Sequence, residues 1–80
     1  MSDRTIHNSI EEMVAEEHAL WDAGEHGGLS DAQKARLDTL QVSLDRCWDL
    51  LRQRQALREY GRDPDDAKLR DASVVEHYKQ

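Results

Sequence analysis

The sequence predicts an all-α fold: an antiparallel helical hairpin with a long second helix and a short helical or extended C-terminal tail. Three observations carry that prediction. Two amphipathic runs are free of Pro and Gly, a capping box stands between them, and their apolar positions pair in one register when the runs are laid side by side. The 80 residues make a single domain, expected as helix one over about 3–23, a turn over 24–29, helix two over about 31–60 and a tail over 61–80.

Helix one takes Ser2 or Asp3 as its N-cap. Its apolar stripe is Ile6, Ile10, Met13, Val14, Leu20 and Trp21, spaced three and four apart as one helical face requires. Gly24 is expected to end the helix in the left-handed conformation, and GEHGG makes the turn. In the capping box Ser30-Asp31-Ala32-Gln33, the Ser30 hydroxyl and the Gln33 amide satisfy backbone donors that helix two would otherwise leave open. Helix two can then run about 30 residues, or roughly 45 Å, against roughly 30 Å for helix one, so its far end overhangs.

Leu37, Leu40, Leu44, Cys47, Trp48 and Leu51 alternate threes and fours along helix two as a packing seam. In an antiparallel hairpin the numbers of facing residues add to a constant. The pairs Ile6/Leu51, Ile10/Cys47, Met13/Leu44, Glu17/Leu40 and Leu20/Leu37 all give the same total. Beyond Leu51 the stripe turns polar, with Arg54, Gln55, Arg58 and Arg62. A second, looser apolar row, Val42, Leu50, Leu57 and Tyr60, lies on a side of helix two that helix one cannot cover.

Either the tail or a second subunit must cover that row. Gly61 closes helix two, Asp63-Pro64 can open a short third helix, and Leu69, Val74, Val75 and Tyr78 are apolar enough to dock. A chain this short buries only about 60–65% of the surface its unfolded form exposes. With the single Cys47 it forms no internal disulfide, so association into a dimeric four-helix bundle is the expected remedy.

Charge is segregated. Residues 1–30 hold seven acids and one base, residues 31–62 five acids and seven bases, and the rest five acids and three bases, for a net charge of −6. Such a balance disfavours general nucleic-acid binding. No leader and no apolar run of about 20 residues is seen, so a cytoplasmic protein without membrane contact is expected.

The segment LDRCWDLLRQRQALREYGRDPD, with EEH in helix one and VVEHYKQ at the end, resembles a family of short actinobacterial proteins, domain-of-unknown-function family 2630, over nearly the whole chain. Relative to the family's pattern, Arg46 stands where Gln is usual and Gln55 where a further Arg is usual, which alters the basic face; Trp21 and Asp71 also differ. The resemblance implies a bacterial cytosolic protein and supplies no mechanism.

Glu17 sits at the centre of the helix-one seam, where a desolvated carboxylate needs a partner, and Arg36 or a basic residue of a second subunit is expected to supply it as a buried ion pair. His7, His18 and His26 with Glu11, Glu16 and Glu17 do not make a metal site. Position 15, three before His18, is Ala15, and helix two has no His. Arg52, Arg54, Arg58 and Arg62 make the overhang basic; they can pair with Asp3, Asp63, Asp65 and Asp66 or present an acidic protein with a docking site. Trp21 and Trp48 lie at seam edges, where a subunit boundary or ordinary core packing accounts for them equally, and Cys47 lies inside the seam, where a nucleophilic role is not expected.

No catalytic residue, cofactor or metal is expected. The sequence reads as a non-enzymatic interaction or structural module acting as a homodimer. Alternatives are a small helical enzyme gripping an anionic metabolite through arginines and a nucleic-acid accessory protein.

Overall fold

A computed structural model describes residues 2–25 and 27–77; His26, Tyr78 and the side chain of Val74 lie outside the described residues. α1 (Asp3–Glu25) starts because the Ser2 hydroxyl accepts the Thr5 N–H at 3.1 Å, which makes Ser2 the cap. It runs through Gly24, two residues beyond its expected end. Gly24 keeps a helical backbone and its carbonyl accepts the Gly28 N–H at 2.8 Å; the left-handed residue of the turn is Gly28, at φ 83°. The missing side chain of Gly24 instead admits Leu29, whose Cγ and Cδ2 would lie 3.1 Å from a Cβ there.

α2 (Asp31–Glu59) opens with the complete capping box: Gln33 N–H donates to Ser30 Oγ at 3.1 Å, and Ser30 N–H donates to Gln33 Oε1 at 2.8 Å. Ser30→Ala should cost about 1 kcal/mol, read as a lower urea midpoint at unchanged slope. The helix closes with paired hydrogen bonds, Gly61 N–H to Arg58 O and Arg62 N–H to Leu57 O, which the left-handed Gly61 (φ 71°) makes possible.

After this reversal the tail folds back along α2. A 3₁₀ turn (Pro64–Asp66) is capped by the Asp63 carboxylate, and α3 (Ala72–His77) follows. The carbonyls of Pro64, Lys68 and Arg70 accept hydrogen bonds from Arg54, Gln53 and Arg46 in turn, at 3.2, 2.8 and 2.9 Å. The descending order of donors makes the tail antiparallel to α2.

The hairpin core contains Ile6, Ile10, Leu44 and Leu50, with Met13, Val14, Cys47, Leu51 and Ala67 packed against it. Leu37 and Leu40 are buried nearer the loop. The second apolar row is therefore not the open strip the sequence suggests. Leu50 is 6% exposed and belongs to the core, against which Ala67 of the tail also packs, Val42 and Leu57 are half-buried, and only Tyr60, at 82%, stands free. Leu69, an expected docking residue, is exposed, while Val75 is buried.

α2 is the shared element, in contact with α1, with the 3₁₀ turn and with α3. The described backbone spans 51 × 26 × 15 Å.

Candidate functional site

The basic end of α2 is built from the same register as the core. Asp3 and Arg54 give the same total as the apolar pairs, so the layer after Ile6/Leu51 is an ion pair. Arg54, only 7% exposed, donates from Nε to Asp3 Oδ1 and from Nη1 to Asp65 Oδ1 at 3.0 Å as well as to the Pro64 carbonyl. Arg58 forks onto the same Asp3 carboxylate, at 3.2 and 2.6 Å. One guanidinium thus fastens the start of α1 and the start of the tail to α2.

Hydrogen bonds from Arg58 and then Arg54 hold the Asp3 carboxyl at about 2, and Arg54 likewise lowers Asp65. An unfolded Asp titrates near 3.8. The depressed folded value means that the stabilisation from Asp3 is fully present above that pH and is lost as pH falls towards 2. An acid titration followed by circular dichroism should therefore lose helix over this window, and Asp3→Asn should remove that part of the pH dependence.

The arginine overhang is accordingly half consumed by the fold. Arg54 and Arg58 are paired internally, whereas Arg52 and Arg62 are exposed and make no ion pair among the described residues.

The expected Glu17–Arg36 pair does not form. Arg36 forks onto Glu16, with Nη2 to Oε1 at 2.9 Å, and both side chains are about half exposed. Glu16 faces the flank of the seam that Arg36 reaches, and that hydrogen bond lowers its pKa. Glu17 is half-buried on the opposite flank, beside Asp38, Gln41 and Asp45. The buried charged side chains among the described residues are Arg54 and Asp49. Asp49 accepts from Gln53 Nε2 at 2.9 Å and lies 3.5 Å from Arg70 Nε. Its only sequence signal was its place between Arg46 and Gln53 on the tail side of α2. Burial raises the pKa of the Cys47 thiol, which opposes thiolate chemistry at neutral pH.

Trp48 is the most distinctive exposed group. It is 45% exposed, and the His7 ring meets it edge to face, centroids 6.0 Å apart at 78°. Open grooves spread from it in three directions. One, towards the loop, carries Glu17, Asp38, Gln41 and Asp45; one, towards the overhang, carries Asp3, His7, Arg52, Gln55 and Arg58; one, along the tail, carries Asp49, Ala56, Arg70 and Val75. Trp21, on α1, is also half exposed. An exposed aromatic ringed by shallow charged grooves suits docking of a surface.

A family model described as "Protein of unknown function (DUF2630)" matches residues 2–80. Uncharacterised proteins from two strains of Mycobacterium tuberculosis and from Mycobacterium bovis are each 49% identical over 70 residues, covering 86% of this chain and 80% of the relative. No solved structure matches the chain. No helix among the described residues is long and apolar enough to cross a membrane.

Proposed function

Because the chain belongs to the DUF2630 family, whose description assigns no activity, we propose a function from its surface: a non-enzymatic interaction or structural module of the bacterial cytoplasm, acting as a homodimer. One observation carries this reading. Trp48 stands half exposed where three open grooves lined by charged side chains meet. Such a half-exposed aromatic is the kind of group a protein interface buries, and a second copy is the simplest partner.

The internal pairing of Arg54 and Arg58 supports a structural use of these cations over a metabolite grip. Arg52 and Arg62 remain for an acidic protein partner. Light scattering over a concentration series tests the reading: a mass twice that of the chain supports it, and a monomer at every concentration removes it.

A further inference from the structure

We propose that two copies of this chain join by exchanging their tails, residues 62–77 of each lying along the α2 of the other. The inference rests on the homodimer reading above and names the element that crosses between the copies. Exchange of an identical element is a low-cost route to a dimer where the hinge is short and a second copy can remake the contacts. The hinge here is the reversal between Tyr60 and Asp63, where the left-handed Gly61 (φ 71°) turns the chain back along α2. No non-Gly residue among those described has a positive φ, so the reversal depends on this one residue. With Gly61 in an ordinary right-handed or extended conformation, the tail runs on past the end of α2 instead of returning.

The returning tail is held largely by polar contacts. Its carbonyls at Pro64, Lys68 and Arg70 accept from Arg54, Gln53 and Arg46, and its Asp65 and Arg70 side chains pair with Arg54 and Asp49. Among the described tail side chains Val75 is the buried apolar one. The polar partners Arg46, Asp49, Gln53 and Arg54 all lie on α2, so the α2 of a second copy offers the same donors and acid in the same order. The groove in which Trp48 meets Arg70 and Val75 then joins the two copies. Beside the hinge, Ala56 and Leu57 line an open groove with Arg62. Exchange brings the two hinges together on the two-fold axis and sets this groove against its copy. Arg58, Glu59, Arg62 and Asp63 alternate in sign, so the two ends meet without net charge.

The test is which chain each tail is linked to. In a Cys47→Ala background, Gln53→Cys and Lys68→Cys place thiols on two residues that share a 2.8 Å hydrogen bond, within reach of a short bis-maleimide. The dimer fraction from size exclusion should give a covalent dimer on a denaturing gel. A dimer fraction whose links all lie within one chain, or that does not link, would overturn the exchange while leaving the homodimer reading intact. Gly61→Val disfavours the left-handed reversal and should raise the dimer association constant by about tenfold or more, with helix content by circular dichroism kept. An unchanged or lower constant would also overturn the exchange. A parent chain that is monomeric at every concentration would remove both readings.

Discussion

Leu40→Ala is expected to lose about 2–5 kcal/mol of stability, the range for a buried Leu truncated in a core that cannot close around the gap. A chain of this length holds only about 4–12 kcal/mol in total. Leu40 is 1% exposed, the most completely buried large side chain among those described. At its level of the hairpin α1 offers Glu17, so few apolar neighbours are available to move into the space. Urea denaturation should show the midpoint falling with little change in slope. A loss below about 1 kcal/mol would mean that the loop end of the hairpin collapses onto the gap, and that Leu37 and Leu40 are not held as described.

The second large effect separates members of the second apolar row. Leu50→Glu should unfold the chain or release its tail, because it removes a core Leu and buries an unpaired carboxylate in the cluster that Ile6 shares and Ala67 packs against. Its cost should be comparable with the whole stability of the domain. Tyr60→Ser, on the same row but 82% exposed, should stay within about 0.5 kcal/mol of the parent. Thermal melts combined with limited proteolysis of the tail distinguish the outcomes. A folded Leu50→Glu protein with a protected tail would contradict the tail's position over α2.

The hairpin and its register were legible because they rest on side chains that repeat. Ile6/Leu51 and Ile10/Cys47 face each other because heptad-like spacing fixes which residues point inward, and the capping box at Ser30 fixes where α2 begins. The Asp3–Arg54 pair falls on the same register, one layer beyond those the apolar pattern marked. What periodicity cannot resolve is the flank of a seam. Glu16 and Glu17 differ by about 100° around the helix, and the long arm of Arg36 takes whichever carboxylate lies on its own side. The tail was hidden for a different reason: it is held by carbonyls of Pro64, Lys68 and Arg70, and a backbone acceptor has no sequence signature. Asp49 was missed with it, since one of its partners, Arg70, is brought to it by the tail.

The guanidinium of Arg54 also bears on the order in which the molecule assembles. Its partner Asp3 is 51 residues away along the chain, whereas Leu20 and Leu37 nearest the loop are separated by little more than the turn itself. Closing a longer loop costs more entropy, so the hairpin should zip from the turn outward, layer by layer. The clasp at the open end is then the last tooth of the zip and, by the same ordering, the first to let go. Native-state hydrogen exchange would read this as a gradient, with amides of α1 near Asp3 opening well before those near the loop. The start of α1 and the start of the tail would fray together, because one side chain holds them both.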